Sequence, residues 1–140
     1  MQRITILGSG SMSTACAILL ASQPGVQVTL WGRDAGRIAE IRKSRENARL
    51  LPGARIPDGV EITHDPELAC RGAECYVVGI PTQFLREGVR PLRDFMEPGR
   101  PIISTVKGIE NASLLRPSQI LEAELPGRPV VALSGPSHAE

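Results

Sequence analysis

Neither sign of charge dominates this sequence. Its 16 Lys and Arg stand against 15 Asp and Glu, and the longest basic block is RKSR, Arg42 to Arg45. That leaves no electrostatic footprint for binding nucleic acid or an anionic membrane surface. Cysteine is scarce and unpatterned: Cys16, Cys70 and Cys75 are an odd number, have no CxxC spacing, and sit among apolar or helical neighbours. They read as buried thiols of a reducing compartment, with no disulfide or zinc framework. His64 and His138 have no ligand or nucleophile at a motif spacing, so no metal is expected. No apolar run approaches the roughly 18 residues of a membrane span. The chain enters strand-like RITILG directly, so a cytoplasmic location is expected. Internal repeats and low-complexity segments are also missing.

What is present is one domain's length of alternating apolar strands and helix-like stretches, the pattern of an α/β fold with a parallel sheet. Strands are expected at Arg3 to Leu7, Val26 to Trp31, Val60 to Thr63, Glu74 to Ile80, Pro101 to Val106 and Pro129 to Leu133. The second, fourth, fifth and sixth are nearly continuous apolar runs, which predicts positions inside the sheet with helices on both faces. Helices are expected at Met12 to Ala21, Ala35 to Arg45, Pro66 to Cys70, Phe84 to Asp94 and Leu115 to Glu124. NARLLPGARIPDG, Asn47 to Gly59, reads as an irregular crossover whose prolines forbid a long helix.

Between the first strand and first helix lies ILGSGSMSTACA. A glycine-rich turn here lets backbone N–H groups at the helix start face a diphosphate at close range. Gly8 makes the tight turn, Gly10 allows the approach, and Ser11 and Met12 offer N–H groups. Ser13 stands where a third glycine normally serves helix packing. Its hydroxymethyl should push the helix outward slightly or find a backbone acceptor. The next test lies about 20 positions on, where an acidic residue binds a ribose hydroxyl or an arginine accepts a 2′-phosphate. VTLWGRD puts Arg33 there, favouring NADP(H) over NAD(H) because guanidinium matches phosphate in charge and geometry. Asp34 caps the following helix on either reading; the other reading of Arg33 is a solvated loop residue.

Three further segments follow strand ends, where open parallel sheets bind ligands. IPTQF follows the fourth strand, KGIE the fifth and SGPSHA the sixth. Lys107, followed by Gly108, would lie beside a bound cofactor and hold an anionic substrate; any lysine taken singly reads rather as a surface residue, and it is the location at a strand end that favours the site. LSGPS offers a glycine and two hydroxyls to a phosphate or carbonyl oxygen, or is simply a β-turn.

In this order and spacing, ILGSGSMSTACA, VTLWGRD, NARLLPG, IPTQFLR, KGIE and SGPSHAE resemble the cofactor domain of the NAD(P)-dependent glycerol-3-phosphate dehydrogenases. The resemblance covers the whole chain. It implies a Rossmann-type doubly wound sheet of order 3-2-1-4-5-6, residues 1–140 forming one N-terminal NAD(P)-binding domain. The implied reaction is hydride transfer between nicotinamide and C2 of dihydroxyacetone phosphate, giving sn-glycerol 3-phosphate for phospholipid synthesis. Carried over by motif, Gly8, Gly10, Ser11, Met12, Arg33, Phe84 and Ala139 are cofactor contacts. Lys107 is shared between cofactor and substrate, and Gly135 and Ser137 are substrate contacts. The family's acid/base lysine belongs to a helical C-terminal domain, so no catalytic residue is assigned within this chain. Two departures stand out: Ser13 for the third glycine, and Leu50 for the tyrosine of the family's YLPG segment.

The expectation is therefore a fragment that binds NADP, or NAD less well, without turning over substrate. The apolar surface that the second domain covers in the family predicts self-association, such as a homodimer. The competing reading is a stand-alone, non-catalytic NADP(H)-binding module. A dehydrogenase for another small hydroxy acid fits KGIE and SGPS less well.

Overall fold

The computed structural model describes residues 1–135. The first strand, β1 (Gln2–Leu7), leads into α1 (Ser11–Ala21), which returns the chain to β2 (Val26–Trp31) beside β1. After α2 (Ala35–Ser44) comes a small antiparallel hairpin, β3 (Glu46–Asn47) and β4 (Leu51–Arg55). The chain then re-enters the main sheet as β5 (Glu61–Thr63) and, past the short α3 (Pro66–Cys70), as β6 (Cys75–Val78). Helix α4 (Thr82–Val89), β7 (Ile102–Ser104), α5 (Pro117–Glu124) and β8 (Val130–Ala132) complete the described fold. The six main strands are all parallel and lie in the order β5-β2-β1-β6-β7-β8. Numbered along the sheet alone, this is the expected 3-2-1-4-5-6. The order reverses between β1 and β6, and that reversal opens a crevice at their C-terminal ends.

Side-chain alternation along β1 builds the two layers. Ile6, fully buried, faces α1 and α2 with Leu30, Ala17, Ile38 and Ile41. Leu7, also fully buried, faces the other way with Trp31, Tyr76, Leu85 and Leu121, under α3, α4 and α5. Each such side chain contributes about 1.5–3 kcal/mol through burial, so the central strands hold the sheet on both sides.

Several boundaries differ from the sequence reading, each for a local reason. Helix α2 stops one residue early because Arg45 adopts a left-handed cap at φ 56°. Its guanidinium donates to Val60 O at 2.8 Å and Asp58 O at 2.9 Å, pinning the return of the chain. Helix α4 starts two residues early, after Pro81, and gives way at Arg90–Leu92 to a single 3₁₀ turn, where Pro91 has no N–H to offer. Helix α5 begins at Pro117 rather than Leu115, with the Gln119 side chain accepting from the Arg116 N–H at 3.0 Å. The stretch read as an irregular crossover contains the β3–β4 hairpin, and Pro52 is accommodated in a strand with one free edge. The sixth strand, β8, is an edge and not interior: Val131 on it is 52% exposed. An apolar run alone does not reveal on which side the last neighbour is missing.

Candidate functional site

Gly8 leaves β1 at φ +118°, a conformation that excludes ordinary side chains. Its N–H still donates to Trp31 O at 2.9 Å, so the turn begins as an extension of the sheet. Gly10 is the N-cap of α1 and supplies no side chain to its first N–H groups. A Cβ built on Gly10 would find nothing nearer than Gly79 O at 4.0 Å. The space above this helix start is open, and the turn is shaped to let an anionic group approach the backbone.

Ser13 does not make the backbone hydrogen bond that was one expectation for it. Its Oγ is buried and has no hydrogen-bond partner, so it finds no backbone acceptor. Room for it comes from two glycines: a Cβ on Gly79 would collide with Ser13 Oγ, and one on Gly8 would lie 3.0 Å from it. Helix and strand thus approach closely with the glycine role displaced from position 13 to position 79.

The crevice holds two adjoining cavities. The larger, about 790 Å³, has the Gly8 to Gly10 turn, Trp31, Arg33, Asn47 and Phe84 among its walls. The smaller, about 480 Å³, is lined by Met12, Thr82, Thr105, Lys107 and Gly108. Gly79, Ile80, Pro81 and Phe84 belong to both, forming a shared ridge at the switch point. Of the residues singled out from sequence, Gly8, Gly10, Arg33 and Phe84 meet in the first chamber, and Met12, Phe84 and Lys107 in the second. Ser11 is exposed at the helix start and lines neither; Gly135 is exposed and also lines neither. Ser137 and Ala139 lie outside the described residues.

Two hydrogen-bonded frames support these chambers, and spacing rules reveal neither. In the first, buried Asn47 donates to Ser9 O at 3.0 Å and to Thr14 Oγ1 at 2.9 Å, while Arg37 donates to the same Ser9 O at 3.0 Å. The hairpin is thereby fastened to the glycine turn. Asp34 caps α2 as expected, accepting from the Arg37 N–H at 2.8 Å. In the second, α4 grips the loop carrying Lys107. Thr82 Oγ1 donates to Lys107 O at 2.5 Å, Gln83 Nε2 donates to Ile109 O at 2.8 Å, and the Asn111 N–H donates to Gln83 Oε1 at 3.0 Å. Arg86 adds ion pairs to Glu110 at 2.9 Å and Glu124 at 2.6 Å, with Arg90 joining Glu124 at 3.1 Å. Hydrogen bonds from Arg86 and Ser113 hold the Glu110 carboxyl below its ordinary range. Arg90, then Arg86, do the same for Glu124 against the opposing effect of burial.

The cysteines offer no nucleophile. Burial pushes the Cys70 thiol up to about 11 and raises Cys16 and Cys75 as well, so thiolate is disfavoured at neutral pH. Among the described residues no helix is long and apolar enough to cross a membrane.

The chain resembles known proteins along its whole length. It is 42% identical over 140 residues to a glycerol-3-phosphate dehydrogenase (NAD(P)+) of Carboxydothermus hydrogenoformans, covering 99% of this chain and 41% of that protein. A Thermus thermophilus relative of the same name is also 42% identical over 140 residues, with 99% and 42% covered. The crystal structure of glycerol-3-phosphate dehydrogenase from Coxiella burnetii superposes with a TM-score of 0.86 at 27% identity, over 98% of this chain and 42% of that one. The enzyme from Saccharomyces cerevisiae gives 0.81 at 26% identity, over 98% and 42%. The chain thus spans about two fifths of the length of these relatives. Residues 3–140 match the family described as NAD-dependent glycerol-3-phosphate dehydrogenase N-terminus, and the chain belongs to that family.

Proposed function

We propose that this chain is the cofactor-holding domain of a glycerol-3-phosphate dehydrogenase, with NADP(H) preferred over NAD(H). The observation that carries the reading is the pair of adjoining cavities along one sheet edge, with the glycine turn and Arg33 in one and Lys107 in the other. When bound, the nicotinamide would exchange a hydride with C2 of dihydroxyacetone phosphate, giving sn-glycerol 3-phosphate. Gly8 and Gly10 keep the turn clear of side chains, while backbone N–H groups at Ser11 and Met12 receive the diphosphate. Arg33 faces the 2′-phosphate. Phe84, 61% exposed on the ridge between the chambers, packs against the cofactor. Lys107 contributes a cation to cofactor and substrate phosphate together, and Gly135, Ser137 and Ala139 complete the site. The acid/base group for the alcohol and ketone belongs to the part of the relatives that this chain does not span. The isolated chain therefore binds without turnover. A cytoplasmic location fits the three unpaired thiols. Ile109, Leu114, Val131 and Leu133, all more than half exposed, supply the apolar surface for a second copy.

The test uses Trp31, which is 2% exposed, donates to His64 O at 3.1 Å and lines the larger cavity. Titration with NADPH and then NADH should quench its fluorescence saturably, with NADPH the tighter ligand. Absence of saturable quenching by either nucleotide, confirmed by calorimetry, would overturn the reading.

A further inference from the structure

Three arginines line the larger cavity: Arg33 after β2, Arg37 on α2 and Arg49 at the tip of the β3–β4 hairpin. They are not equivalent. Arg37 is committed to the frame, since its Nη2 donates to Ser9 O at 3.0 Å and reaches Asn47 Oδ1 at 3.4 Å. Arg33 reaches across to Glu87 on α4 at 4.0 Å, a pair in which both side chains are well exposed. Arg49 makes no hydrogen bond or ion pair among the described residues.

The backbone beneath Arg49 is nevertheless fixed. Asn47 is 1% exposed and pairs with Leu51 across the hairpin, and the Leu50 N–H closes the turn on Asn47 O at 3.1 Å. Gly53 N–H donates to Glu46 Oε1 at 2.8 Å, bracing the opposite strand and occupying that carboxylate. Of the other acidic groups of the wall, Asp34 is occupied by the α2 cap, and Glu40 stands exposed on α2. A cation without a partner, carried on a braced tip into a cavity that already holds Arg33, is arranged for an anion. A nucleotide 2′-phosphate carries about −1.5 to −2 charge at pH 7, more than one guanidinium neutralises. Two guanidinium forks from different elements match both its charge and its oxygens.

We infer that Arg49 is a specificity-determining residue that binds the 2′-phosphate of NADP(H) together with Arg33. The inference rests on the cofactor reading given above and extends the site to the hairpin. Because Arg49 is exposed and supports no other group, Arg49→Gln leaves the fold intact.

The experiment titrates the wild-type chain, Arg49→Gln and Arg55→Gln with NADPH and NADH, following Trp31 emission. Arg55 is on the same hairpin, pairs with Asp58 at 2.8 Å and lies outside the cavity wall, so it controls for net charge. Arg49→Gln should weaken NADPH about tenfold or more, as expected for loss of a charged fork, with NADH changed less than about twofold. Arg55→Gln should leave the ratio of the two affinities unaltered. An unchanged NADPH/NADH ratio in Arg49→Gln, or an equal fall in both variants, overturns the inference. A wild-type chain that binds both nucleotides equally overturns it together with the NADP(H) preference, while leaving the cofactor-holding role in place. Failure of the wild type to bind either removes that reading and this inference with it.

Discussion

The side-chain amide of Asn47 donates to the Ser9 carbonyl at 3.0 Å across 38 residues of sequence. Its orientation is set by chemistry: the Ser9 carbonyl only accepts and Arg37 only donates, so Nδ2 faces Ser9 and Oδ1 faces Arg37. Through this contact and the bonds of Arg37, the hairpin, α2 and the glycine turn are tied to one another. The turn's other face, toward the cavity, keeps its N–H groups for a ligand.

Removing that amide should leave Thr14 Oγ1 without its buried donor and Ser9 O with Arg37 alone. Asn47→Ala is expected to cost about 2 kcal/mol of stability, read from urea unfolding followed by Trp31 fluorescence. Asn47→Asp should cost more at neutral pH, since a carboxylate would face a carbonyl with no proton to give. Either variant should weaken NADPH and NADH in the same proportion. That uniform loss would distinguish a frame residue from Arg49, for which the expected loss falls mainly on NADPH.

Ser13 and Gly79 form a packing pair whose energetics run against the usual direction. The buried Ser13 hydroxyl has no partner, so Ser13→Ala should stabilise the chain by about 1 kcal/mol. Gly79→Ala alone should destabilise, because its new methyl would meet Ser13 Oγ. In the double variant the nearest neighbours are the Ser13 Cβ and N positions at 3.5 Å, an ordinary contact. Ser13→Ala should therefore rescue much of the Gly79→Ala loss. A double-mutant cycle in urea tests this, and strict additivity of the two single effects would refute the pairing.

The strands and the glycine turn were legible because they depend on local patterns: apolar runs of strand length, and glycines beside a helix start; the strand order came with the family resemblance. Arg33's place on the cavity wall was legible for the same reason, as it sits at a fixed distance along one βαβ unit. Asn47 and Thr82 were not. Each acts by bonding a backbone carbonyl more than 20 positions away, and no spacing within its own segment signals that. The place of Arg49 on the same wall was hidden by the prolines and glycines around it, which obscured the hairpin. The edge position of β8 was also unreadable, since an apolar edge strand and an interior strand share one composition.

The loop holding Lys107 depends on α4 for its shape. Thr82→Val keeps the side-chain volume but removes the hydroxyl that donates to Lys107 O. Amide hydrogen exchange across residues 107–111 should accelerate about fivefold, the effect of losing about 1 kcal/mol of local protection. Exchange in β1 and β6 should stay unchanged at equal denaturant. If exchange rises evenly through the whole chain, the hydroxyl supports the global fold and not this loop.

The Glu124 carboxylate, 10% exposed between Arg86 and Arg90, gives the chain an acid-sensitive joint between α4 and α5. Its folded-state acidity is increased by the two guanidinium partners, so its ionised form stabilises the native state. A lowered folded pKa contributes stability that is complete above the unfolded value of about 4.3 and is lost as pH falls through the folded one. Glu124→Gln should cost about 1–2 kcal/mol at pH 7. That gap should shrink between about pH 5 and pH 3 as the wild-type carboxylate takes up its proton. Urea midpoints measured in steps across this range check the sign. Parallel wild-type and Glu124→Gln curves would mean that the arginines leave this carboxylate's acidity as it is in the unfolded chain.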